Sequence, residues 1–108
     1  MAEVKVTQVG RVAPGTGTVV DAQGTAVALF NVGGTFYAIA NACTHVGGPL
    51  GEGRLDGTTV TCPWHGSQFD VTSGQVLHGP ARRAVATYPV RVRGDDVFVV
   101  VEEAPPAG

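Results

Sequence analysis

Cysteine is scarce in this chain: there are two, Cys43 and Cys62, in 108 residues. That excludes a disulfide-dense scaffold, which needs several bridges to replace a core. Leucine is scarce as well, with four, which leaves the composition to turn formers and β-branched residues. No apolar run approaches the roughly 20 residues that span a bilayer, so no membrane association is expected. An excess of either charge is missing too. Seven Lys and Arg against nine Asp and Glu leave a net charge of −2, which gives no electrostatic reason to expect nucleic acid. The opening Met-Ala-Glu-Val-Lys lacks the apolar stretch of a secretory signal, so a cytoplasmic protein is expected. In that reducing setting the two cysteines are expected to bind metal or do redox chemistry rather than pair. At 108 residues, one domain is the starting expectation.

What is abundant is turn formers and β-branched residues: Gly and Pro number 23, and Val, Thr and Ile number 31. This composition predicts an all-β domain. Strands are expected in 3–9, at Thr18–Asp21 and over Thr25–Val32. Gly33-Gly34 then separates the last of these from Thr35–Ala40 as in a tight hairpin. Val90–Arg93, a Gly94-Asp95 turn and Val97–Val101 read as a closing hairpin. Gly15-Thr16-Gly17 reads as a turn, and the tail Glu102–Gly108 as a frayed terminus. Between two β-rich arms, 3–41 and 82–102, lies a glycine-rich insert. Glycines from Gly47 to Gly57 break any period there, and the insert is expected as a shaped loop, a strand over Thr58–Cys62, a second loop at Pro63–Gly66 and a short strand over Gln68–Val71.

That insert holds nearly all the metal-capable side chains. It reads Cys43-Thr44-His45, sixteen residues, then Cys62-Pro63-Trp64-His65, so each of two loops offers one thiol and one imidazole. Two Cys and two His can close a structural zinc site, but zinc loops space their ligands two to four residues apart and only one residue separates Cys43 from His45. Cys62 and His65 as nucleophile and base would need an oxyanion hole that no further signature supplies. His78 has no ligand spacing and reads as an ordinary loop histidine.

The spacing Cys-x-His, sixteen residues, Cys-x-x-His resembles the Rieske iron-sulfur motif. The flanks resemble it too: His45-Val46-Gly47-Gly48-Pro49-Leu50, Cys62-Pro63-Trp64-His65-Gly66-Ser67-Gln68-Phe69-Asp70, and Gly79-Pro80-Ala81 as the proline loop. The resemblance implies the Rieske fold, an antiparallel β-sheet base (1–41 and 82–108) carrying a small cluster-binding subdomain (42–81), all within a single domain, 1–108. It implies one 2Fe-2S cluster, with Cys43 and Cys62 on one iron and His45 and His65 on the other. Neutral imidazoles in place of two thiolates ease the addition of an electron.

It further implies a one-electron carrier like the ferredoxin component of bacterial aromatic-ring dioxygenase systems. Such a carrier takes electrons from an NAD(P)H-dependent flavin reductase and passes them to a terminal oxygenase. It would not itself be an enzyme, since an oxygenase subunit needs a further iron site with two His and a carboxylate, and only His78 is left over. It is expected to be a monomer. The alternatives are a small subunit of a nitrite-reductase-like enzyme, a redox-sensing or assembly role, and the zinc module. High-potential relatives in membrane respiratory complexes carry bridged cysteines where this chain has Gly48 and Trp64, and a Tyr where it has Phe69. Ser67 keeps the family's hydroxyl. With one donor to sulfur lost, the potential is expected in the lower part of the range of about −150 to +300 mV. Trp64 is expected to shield the cluster or touch a partner. Arg82-Arg83 reads either as a solvated pair or as a docking feature.

Overall fold

β-branched runs pay little for extension and pack well on a pleated surface, and they form eleven strands among the described residues, 2–45 and 47–101 of a computed structural model. Residues 102–108, expected to fray, lie outside that range. The strands are β1 (Ala2–Gln8), β2 (Thr16–Ala22), β3 (Thr25–Val32), β4 (Thr35–Ala40), β5 (Arg54–Asp56), β6 (Thr59–Thr61), β7 (Gln68–Asp70), β8 (Val76–His78), β9 (Thr87–Tyr88), β10 (Val90–Arg93) and β11 (Asp96–Val101). They make three antiparallel sheets in the orders β1-β11-β10, β2-β3-β4-β9 and β5-β6-β7-β8. The all-β expectation holds, and both expected hairpins form, at Gly33-Gly34 and at Gly94-Asp95.

The second sheet is the middle layer, which explains why β3 reads as a continuous apolar run instead of an alternating one. Successive side chains of a strand point to opposite faces. Val27 and Leu29 enter a core shared with Val97, Val99 and Val101 of β11. Ala28 and Phe30 enter a second core shared with Val60, Phe69, Cys43 and Cys62. β4 divides the same way, with Ala38 in the first core and Ile39 in the second. Each fully buried Val or Leu contributes about 1.5–3 kcal/mol, so the residues that stabilise the base also hold the floor of the insert. Buried Asn31 is satisfied on both ends of its amide: Nδ2 donates to Val12 O at 2.8 Å and Oδ1 accepts from Gly34 N at 2.8 Å.

Several local expectations need correction. Thr16 and Gly17 already belong to β2, leaving Gly15 as the turn residue. The insert is more regular than its glycines suggest: β5 lies within the expected loop, and Leu50–Glu52 forms a 3-10 turn. His78 is on a strand, β8, where it pairs with Gln68. β9 has two residues. Elements this short carry no period, and pairing to a neighbour rather than local pattern makes them strands. No helix among the described residues is long and apolar enough to cross a membrane.

Candidate metal centre

β4 leads directly into the first loop of the candidate site. Asn41 closes it: its carbonyl accepts from Leu50 N at 2.8 Å and its Oδ1 accepts from Gly51 N at 2.9 Å, while Ala42 bridges to Pro49. Within the loop, Gly47 N donates to Cys43 O at 2.8 Å, and Cys43 N donates to Gly48 O at 2.9 Å. The second loop joins β6 to β7 and repeats both bonds. Gly66 N donates to Cys62 O at 3.1 Å, and Cys62 N donates to Ser67 O at 2.7 Å. The glycine four residues after each cysteine has positive φ, +81° at Gly47 and +79° at Gly66, a conformation that L side chains rarely adopt.

A third segment, after β8, locks onto both loops. Ala81 N donates to the Ser67 hydroxyl at 2.9 Å, and the Thr44 hydroxyl donates to Arg83 O at 2.6 Å. Ser67 is fully buried, and its oxygen is an acceptor there, so its own hydrogen remains available to donate.

These closures sort the four candidate ligands by chemistry. Cys43 and Cys62 are free thiols, each 2% exposed, in one buried cluster. His45 and His65 are both exposed, and their rings meet edge to face with centroids 5.2 Å apart and an interplanar angle of 82°. The loops also touch through Gly48, where a Cβ would fall 2.6 Å from Cys62 Sγ and 3.1 Å from the Trp64 ring. Trp64 is 57% exposed, a rim residue rather than a core one, and Phe69 is fully buried. Sequence reasoning missed Asn41 and Thr44, whose partners lie in other segments. An Asn at a strand end and a Thr between two candidate ligands are weak signals by themselves.

A model of the Rieske [2Fe-2S] domain matches residues 2–89. The chain belongs to the Rieske family. Over 81 residues it is 47% identical to the 3-phenylpropionate/cinnamic acid dioxygenase ferredoxin subunit of Escherichia coli (strain K12), covering 74% of this chain and 76% of that protein. The solved ferredoxin of carbazole 1,9a-dioxygenase from Nocardioides aromaticivorans IC177 superposes with a TM-score of 0.90 at 30% identity, over 94% of this chain and 100% of that one. A chain from a complex of reduced oxygenase and oxidized ferredoxin in carbazole 1,9a-dioxygenase does so with a TM-score of 0.87 at 33% identity, covering 96% and 97%.

The cofactor of a Rieske domain is a 2Fe-2S cluster, and the donor set here suits one: two thiols and two imidazoles, one of each per loop. Among the described residues no three His, Cys, Asp or Glu side chains close on one point. A Rieske cluster does not ask for that, because each iron takes only two side chains.

Proposed function

We propose that this chain is a one-electron carrier that takes electrons from an NAD(P)H-dependent flavin reductase and delivers them to a terminal aromatic-ring oxygenase. The observation that carries the reading is the pair of exposed imidazoles in contact, set beside two buried thiols. Cys43 and Cys62 would hold one iron and His45 and His65 the other, and the cluster when bound supplies a one-electron couple eased by its neutral imidazoles. Burial keeps water from the thiolate side, while exposure of the imidazoles leaves a short path outward to a docked protein. The ferredoxin relatives, and the oxygenase in complex with ferredoxin in the carbazole system, support the partner class. The division into a base (1–41 and 82–108) and a cluster-binding subdomain (42–81) is supported by the separate sheet β5-β6-β7-β8. The chain would act as a cytoplasmic monomer and catalyse no bond change itself. Phe69 offers no hydroxyl and Gly48 and Trp64 no bridge, which supports a potential in the lower part of the range of about −150 to +300 mV.

The test is anaerobic purification followed by absorption, low-temperature EPR and iron and sulfide analysis, then reconstitution with a flavin reductase and an oxygenase. A reducible 2Fe-2S signal that turns over the oxygenase is the expected result. A colourless protein with one zinc would sink the reading.

A further inference from the structure

We propose that Arg82 and Arg83 form a cationic contact beside the imidazoles that docks on a carboxylate-bearing face of the terminal oxygenase. This rests on the electron-carrier reading above and adds the chemistry of the partner surface. Both arginines are exposed, and among the described residues neither makes an ion pair. Lys5 pairs with Asp96 at 3.1 Å and Arg93 with Glu3 at 2.8 Å on the base sheet; Arg11, Arg54 and Arg91 also make no ion pair among the described residues, so what sets Arg82 and Arg83 apart is their place beside His45. Arg82 and Arg83 share a shallow concavity with Thr44, His45 and Pro80, and no acidic residue lines it. Of the three acids in the insert, Asp70 is bonded to the Thr72 N–H and hydroxyl, Glu52 lines a different concavity beside Val19, and Asp56 ends β5, outside this concavity.

The backbone under these arginines is fixed from two sides. Arg83 O accepts from the Thr44 hydroxyl, and the Ala81 N–H next to Arg82 donates to buried Ser67. The Cα positions of the two arginines therefore stand at a set place beside His45 while their side chains make no ion pair with the described residues. That combination suits intermolecular contact rather than folding. It also runs against the formal charge of the chain, −2, so the sign of this rim is local and selects for carboxylates on the opposing face. The oxygenase is the partner chosen because an oxygenase and ferredoxin complex is the assembly in which the carbazole relative is found.

The experiment uses cluster-loaded protein, wild type and the double variants R82Q/R83Q and R82E/R83E, with the terminal oxygenase of the reconstitution described above. Calorimetry gives the dissociation constant at low and at physiological salt, and stopped flow gives the rate of oxygenase reduction. Wild-type affinity should fall with salt. Charge reversal should weaken binding roughly tenfold or more at low salt and flatten or invert the salt slope, with R82Q/R83Q between the two. EPR and thermal unfolding of the variants should match wild type, while the midpoint of R82E/R83E should fall, because negative charge near the cluster disfavours reduction; the dissociation constant and its salt slope, which do not depend on the midpoint, therefore carry the test. Wild-type affinity and salt slope in R82E/R83E would overturn the proposal while leaving the carrier reading intact. So would a defect confined to the flavin reductase. A wild-type protein that neither binds nor reduces the oxygenase would remove both.

Discussion

Residues 43–48 and 62–67 close in the same way and contribute differently. In each, the cysteine carbonyl accepts from the glycine four residues on and the cysteine N–H donates to the carbonyl five residues on. The two glycines share nearly the same positive φ. The side chains break the symmetry. The histidine comes two residues after Cys43 but three after Cys62, and the fifth residue is Gly48 in one loop and Ser67 in the other. Gly48 lets backbone lie against Cys62 Sγ, whereas Ser67 reaches with a buried hydroxyl to the loop at Ala81. A shared backbone frame thus presents unlike donors, and the first loop depends on the second for space.

The largest break of this comparison is removal of one imidazole. His65→Ala should abolish the normal cluster, read as loss of the EPR signal and of the visible absorption of the reconstituted protein. His78 gives no rescue in this expectation, because it sits on β8 paired with Gln68. A normal Rieske signal in that variant would remove His65 from the ligand set.

A smaller effect separates the two uses of glycine. Gly47→Ala and Gly66→Ala have open space around the new methyl and face only the strain of positive φ, about 1–2 kcal/mol each. Gly48→Ala instead drives a methyl into Cys62 Sγ and the Trp64 ring, an overpacking cost of about 1–3 kcal/mol that falls on a candidate ligand. Denaturant unfolding should show equal losses at 47 and 66. Iron content after reconstitution should drop furthest at 48, and equal iron content in all three would show that the loops do not compete for that space.

The smallest effect is on the potential. Ser67→Ala removes the one buried hydroxyl of the second loop and leaves the Ala81 N–H without its acceptor, which costs about 1–3 kcal/mol of stability. If the Ser67 hydrogen donates to the cluster, as a charged acceptor favours, the midpoint should fall by about 60–130 mV, the one-electron equivalent of a hydrogen bond to a charged group. An unchanged midpoint with reduced stability would assign Ser67 to loop anchoring alone.

Much of this is legible in the sequence. The Gly33-Gly34 hairpin and the closing hairpin at Gly94-Asp95 carry strong local signals, since β-branched runs on both sides leave few alternatives. The candidate ligands are equally legible, because Cys and His types at a specific spacing are a chemical statement. β5, β8 and β9 were not legible: two or three residues hold no period, and their strand character comes from pairing, with the adjacent β6 and β7 for β5 and β8 and with the distant β4 for β9. Asn41 and Thr44 were missed because each acts through a bond to another segment, at Gly51 and at Arg83, that the local pattern does not reveal.

By itself the sequence determined the β class, the two hairpins, the donor types and the family to which they belong, because each depends on residue identity and short-range spacing. Only the tertiary structure decided that the rings of His45 and His65, twenty positions apart, meet at 5.2 Å outside while both thiols sink inside. That arrangement comes from β3 and β4 sharing themselves between two cores and from β5, β6 and β7 folding the intervening chain back. It is a balance of packing over many distant contacts, and no stretch of sequence holds those contacts alone.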